Sequence, residues 1–143
     1  MVLPRRKLLL LIMRRQFSLL TVEGVEIIQI ASARRGDSTR GISRDKAFEM
    51  ENIVIGRSRV AGAVESAWHH HGKRDVYGYM VSGTLRFDFG KGGKSSVLAA
   101  AGDFFHIPVG LVHRDVNPDE RKQAVVVNIM FGKGPPVVNV KGP

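Results

Sequence analysis

His69 and His71 alternate with His70 in the run Trp68-His69-His70-His71-Gly72, and this spacing lets two side chains share one chemical task. On an extended strand successive side chains point to opposite faces and the rise is about 3.3 Å per residue, so the two imidazoles would face one way from Cα atoms about 7 Å apart. That separation allows them to converge on one metal ion. Asp75 can add an oxygen from the same segment, and His113, about forty residues on, can arrive from a neighbouring strand. A mixed nitrogen and oxygen shell of this kind suits one divalent transition metal among Fe, Mn, Co, Ni and Zn. His70 has the opposite parity and stays outside the set. His106 is read as a hydrogen-bonded residue of the core or an interface.

A second run reads Gly102, five residues, Pro108, one residue, Gly110, two residues, His113, three residues, Asn117. It resembles the second conserved motif of the cupin superfamily. The first cupin motif runs Gly, five residues, His, one residue, His, three or four residues, Glu, six residues, Gly; His69, His71 and Gly83 match it with three departures. Gly62 sits one residue too early, Asp75 stands for the glutamate, and seven residues rather than six separate Asp75 from Gly83. The resemblance covers roughly residues 50–131, with eighteen residues between Gly83 and Gly102. Trp68 to Gly72, Tyr79, Ser82-Gly83 and the closing Pro135-Pro136-Val137-Val138-Asn139-Val140 are similar to a group of small single-domain cupins. The resemblance implies a double-stranded β-helix with a metal near the barrel centre on His69, His71, Asp75 and His113.

Asp75 is the member under most strain, because aspartate reaches about 1.5 Å less far than glutamate, against metal–ligand distances near 2 Å. Gly78 offers a compensation: glycine inside a strand often marks a bulge, which would absorb the extra residue before Gly83. The expectation is that Asp75 still ligates; the alternative is a three-histidine site with water in the fourth place.

The elements that must hold these residues are short and extended. Residues 25–32 read as a first strand, 33–49 as a long polar loop, and 52–60 and 67–71 as further strands. Residues 75–82 and 84–89 form a hairpin about Ser82-Gly83, with Leu85, Phe87 and Phe89 on the inward face. Strands follow at 95–101, 104–107 and 112–116, and the apolar run 124–131 suggests a strand buried on both faces. Trp68 is assigned to packing, and Asn117 to shaping the turn after His113. Gly93-Lys94-Ser95 resembles the end of a phosphate-binding loop, but Asp88 stands where that motif requires glycine and strand follows where it requires helix. The fold class is therefore all-β, a sandwich or jelly roll of about ten strands.

With 143 residues the chain is most simply one domain at 21–143, preceded by a basic extension over 1–20 that is weakly ordered or exchanged with a partner. The absence of cysteine removes disulfides and thiolate chemistry together and fits a cytoplasmic setting. Of the net charge of +9, Arg5, Arg6, Lys7, Arg14 and Arg15 carry five units, leaving +4 for residues 21–143. The remaining basic residues are dispersed with no recognition helix, so nucleic acid is not expected as a partner. Leu8 to Met13 is too short for a signal core or a membrane span.

Three histidines and one carboxylate leave open positions on a five- or six-coordinate metal, where water, dioxygen or a small oxygenated substrate could bind. Phe87, Phe89 and Tyr79 are candidates for the pocket lining that would exclude bulk water. A metal-dependent dioxygenase or isomerase is the expected activity, with a non-catalytic sugar- or effector-binding protein as the alternative. The extended tail at 135–140 suggests a homodimer whose terminal strands pair across subunits.

Overall fold

The computed structural model describes residues 24–143, so the basic extension expected at 1–20 lies outside the described residues. The strands are β1 (Arg34–Arg35), β2 (Ser43–Met50), β3 (Ile53–Val60), β4 (His69–His70), β5 (Asp75–Ser82), β6 (Thr84–Phe89), β7 (Ser95–Ala100), β8 (Phe104–Ile107), β9 (His113–Val116), β10 (Ala124–Phe131) and β11 (Val138–Asn139). They form two antiparallel sheets, one in the order β1-β2-β3-β10-β5-β8 and one in the order β11-β4-β9-β6-β7. Among the described residues, no helix is long and apolar enough to cross a membrane.

Each sheet turns one face toward the other, and period-2 alternation decides which residues meet between them. On β5, Val76, Gly78 and Met80 are buried while Tyr77 and Tyr79 are exposed. On β6, Leu85 and Phe87 are buried, and together with Val60, Val76, Met80 and Val126 they belong to one apolar core. Burying a side chain such as Met80 or Leu85 contributes about 1.5–3 kcal/mol relative to exposure.

Three parts of the fold differ from the sequence reading. Residues 25–32 hold no strand: Val25 and Ile27 are exposed, and Ile30–Ser32 makes one turn of 3-10 helix. The stretch expected as a loop at 33–49 contains β1 and β2 instead. Asp45 of β2 binds Arg57 at 2.8 Å and Arg59 at 3.1 Å, so cross-strand charge pairs on β3 do what apolar alternation would otherwise do. β10 is buried on one face only, with Ala124, Val126, Asn128 and Met130 inward and Val127 and Phe131 exposed, because it lies within a sheet whose outer face is uncovered.

The expected bulge at Gly78 is also displaced. The register between β5 and β10 slips between Val125 and Val126, which oppose Ser82 and Met80, so the extra residue is Val81. Gly78 is glycine for a different reason: a Cβ there would overlap the Phe105 ring of β8. Gly83 turns the hairpin at φ +75, and a Cβ on it would press to 2.8 Å from the Gln123 carbonyl oxygen.

Candidate metal centre

β4 and β9 are neighbours, and their register sets His69 directly opposite His113. His71 follows β4 by one residue and keeps the parity of His69. The three rings are buried, with centroids 4.3 Å (His69–His113), 5.2 Å (His71–His113) and 5.3 Å (His69–His71) apart. One ring nitrogen from each lies within 4.8 Å of the other two, a grouping that could hold a metal ion.

Which nitrogen faces the centre is fixed from behind. His69 Nδ1 contacts the Ala67 carbonyl at 3.0 Å, His71 Nδ1 the Pro136 carbonyl at 2.8 Å and His113 Nδ1 the Leu111 carbonyl at 3.0 Å. A carbonyl oxygen only accepts, so each Nδ1 carries the proton and donates, leaving the Nε2 lone pair directed inward. Burial, then the nearby His113, pushes His69 and His71 down to about 3, which keeps both rings neutral as metal ligation requires.

Arg44 of β2 enters the same space. Its Nη2 donates to His69 Nε2 at 3.3 Å, and its Nη1 donates to the Asp37 carbonyl at 3.1 Å and Thr39 Oγ1 at 2.8 Å. Burial pulls its guanidinium below the ordinary value, against Asp115 and Asp37, which hold it up. Asp115, two residues beyond His113 on the same face of β9, is buried, and its Oδ1 lies 3.6 Å from His113 Nε2. Both of those atoms are buried without a hydrogen-bond partner.

The space enclosed by Arg44, the three histidines and Asp115 is about 20 Å³, room for an occupant the size of an ion or a water. A larger cavity of about 350 Å³ adjoins it at His113, lined by Phe87, Phe89, Phe105, Pro108 and Leu111 among others. Phe87 lines both spaces, and Phe89 the outer one. Imidazole nitrogens aimed inward, with an orphaned carboxylate oxygen beside them, fit a divalent transition metal of borderline softness.

Two expected site residues lie elsewhere. Asp75 is not among the grouped ligands: its carboxylate, about 40% exposed, accepts from His106 Nε2 at 2.8 Å. The reason is strand parity, since β5 sends Asp75 outward with Tyr77 and Tyr79 and sends Val76 inward to line the centre. Counting four residues after His71 instead of three places the motif's acidic position on Val76, with the required six residues before Gly83. Tyr79 is likewise outside the pocket, its ring 4.8 Å from that of Phe104 on the outer face. His106 is hydrogen-bonded as expected but half exposed, stacked 4.6 Å from Tyr77. Asp115 and Arg44 are the residues that sequence reasoning missed. The two-residue step from His113 was the legible signal for Asp115; Arg44 lay in a segment read as loop.

The remaining motif positions serve the frame. Asn117 donates from Nδ2 to the Val60 and Lys122 carbonyls and accepts from the Asp119 amide, which fixes the turn after β9. Trp68 is half-buried beneath the Arg114 guanidinium, 5.0 Å from its ring. Ala63, not Gly62, is five residues from His69, and it adopts the left-handed φ of 58 that the motif's glycine would take.

Solved structures share this architecture at low identity. An uncharacterized conserved protein with a double-stranded beta-helix domain from Klebsiella pneumoniae is 17% identical, with a TM-score of 0.65 over 82% of this chain and 98% of that one. KdgF from Halomonas sp. is 16% identical, with a TM-score of 0.60 over 76% and 96%. An oxalate oxidase solved with the substrate analogue glycolate is 21% identical, with a TM-score of 0.66 over 86% and 67%. No curated protein matches the chain. The sequence profile of the Cupin domain matches residues 58–130, from the end of β3 through β10 and across all three histidines. On that match and this double-stranded β-helix, the chain belongs to the cupin family.

Proposed function

We propose that this cupin holds a divalent transition metal on His69, His71 and His113 and acts as an enzyme on a small oxygenated anion, by dioxygenase-like or isomerase-like chemistry. The observation that carries the reading is the inward set of Nε2 lone pairs, each ring locked at Nδ1 by a backbone carbonyl, with a half-buried guanidinium against it. When bound, the metal would supply Lewis-acid polarisation or, as iron, redox chemistry.

The chain's own residues supply recognition and shelter. Arg44 is held in place by the Asp37 carbonyl and Thr39, and its remaining donors suit a carboxylate or enolate oxygen. His69 Nε2 cannot accept from Arg44 and ligate a metal at once, so Arg44 must turn from the ring toward the anion. Phe87, Phe89 and Leu111 line the approach and displace water from it. The oxalate oxidase solved with glycolate gives a precedent for a small hydroxy acid on this barrel. A binding role without turnover is the second reading, favoured by the outer cavity, whose named lining offers only His106 and His113 as titratable groups.

The test is oxygen uptake and product formation across a panel of small hydroxy acids, enols and diketones, after separate reconstitution with Fe, Mn, Ni and Zn. Turnover with at least one metal is expected, and Arg44→Gln should raise KM for anionic substrates. Tight binding without conversion under all four metals would favour the binding role.

A further inference from the structure

We propose that Asp115 is the acidic metal ligand of this protein, taking over from β9 the part that the cupin motif assigns to a glutamate on β5. The inference rests on the metal reading above and adds a ligand to it. Val76 occupies the inward position on β5 and has nothing to coordinate with, while the nearest acid in sequence, Asp75, is bound outside to His106. The centre would then lack a carboxylate unless another strand supplied one.

Asp115 meets that need in four respects. It shares a face with His113 two residues away, while Arg114 between them points outward to Asp88 and Glu65. Its Oδ1 sits 3.6 Å from His113 Nε2, close to the roughly 3–3.5 Å that separates neighbouring ligand atoms each about 2.0–2.2 Å from one ion; it stands outside the 4.8 Å grouping of the three histidines, so its carboxylate swings inward to ligate. The backbone is clamped independently of the carboxylate: Ser66 Oγ accepts from the Asp115 amide at 2.9 Å, and the Asp115 carbonyl accepts from the Ser66 amide at 2.8 Å. The carboxylate oxygen itself remains buried without a hydrogen-bond partner, a costly arrangement that a cation would relieve.

A role as simple counter-ion to Arg44 explains less. The donors of Arg44 go to Asp37, Thr39 and His69, and no hydrogen bond joins it to Asp115. Removing Arg44 would leave the Oδ1 of Asp115 as unpartnered as before, whereas a metal satisfies it and His113 Nε2 together.

The test is Co(II) titration of the full chain, read by calorimetry and by the visible absorption of the bound ion, with circular dichroism to confirm folding. Asp115→Asn, which conserves shape, should weaken Co(II) by about 10-fold or more and alter the absorption bands. Asp75→Asn should change neither, and Val76→Glu placed in the Asp115→Asn background should restore much of the affinity. Wild-type affinity and bands in Asp115→Asn would overturn the assignment of Asp115 while leaving a three-histidine site intact. A wild-type chain that binds no Co(II) would overturn both the ligand assignment and the metal reading.

Discussion

Each imidazole of the triad is held at Nδ1 and presented at Nε2, and that division of labour has a measurable consequence in acid. In the unfolded chain His69 and His71 would titrate near the ordinary 6.5, whereas in the fold burial and the neighbouring His113 lower both to about 3. A depressed folded value means that the unfolded state takes up protons first as the pH falls. Stability is therefore fully present above 6.5 and is lost on the way down toward 3, at up to about 1.4 kcal/mol per pH unit for each residue. Chelator-treated protein unfolded in urea at pH 7.5, 6 and 5 should show this decline, and a His69→Gln, His71→Gln variant should show much less of it. At this scale His69 and His71 were legible because alternation pairs them, and His113 because it stands in the second motif. The acid was not: the motif allows three or four residues before its carboxylate, and the chemical type of Asp75 drew the shorter count where parity favours Val76. The same parity, applied after His113, leads to Asp115.

The strands carry the site, and the tail completes it. β11 pairs with β4, Val138 opposite His70 and Asn139 opposite His69, so the C-terminal residues brace the strand that carries the first histidine. Pro136 supplies the carbonyl that orients His71, and Gly134 accepts from Arg74 Nε at 2.9 Å in the adjoining turn. Deleting residues 134–143 should leave the two-sheet far-UV spectrum in place while lowering metal affinity about 10-fold or more, since orienting partners of a ligand are worth that much. Unchanged affinity in the truncated chain would show that the tail does not aim His71. β3 and β5 through β9 could be read from apolar alternation and turn residues. β2 could not, because its pairing with β3 is written in charges, Asp45 against Arg57 and Arg59, and charged stretches otherwise read as loop.

Across the whole molecule, the all-β class was written in the alternation and the cupin architecture in two motifs. The outer face of β5 and β8 exposes Tyr79, Val81 and Phe104, the last at 82%, and aromatic rings side by side on a sheet face favour burial. We propose that the homodimer expected from the sequence buries this face. Sedimentation at micromolar concentration should give a dimer, and Phe104→Asp should give a monomer with its metal site intact. A wild-type monomer would remove this interface.

The central claim is that His69, His71 and His113 converge on a single ion. Elemental analysis of the protein purified from its native host, beside a variant carrying His69→Ala, His71→Ala and His113→Ala, tests it most directly. The account predicts a stoichiometric divalent transition metal in the wild type and loss of it in the variant. A wild type that stays empty even when offered Fe, Mn, Co, Ni and Zn, or a variant that retains its metal, would contradict it.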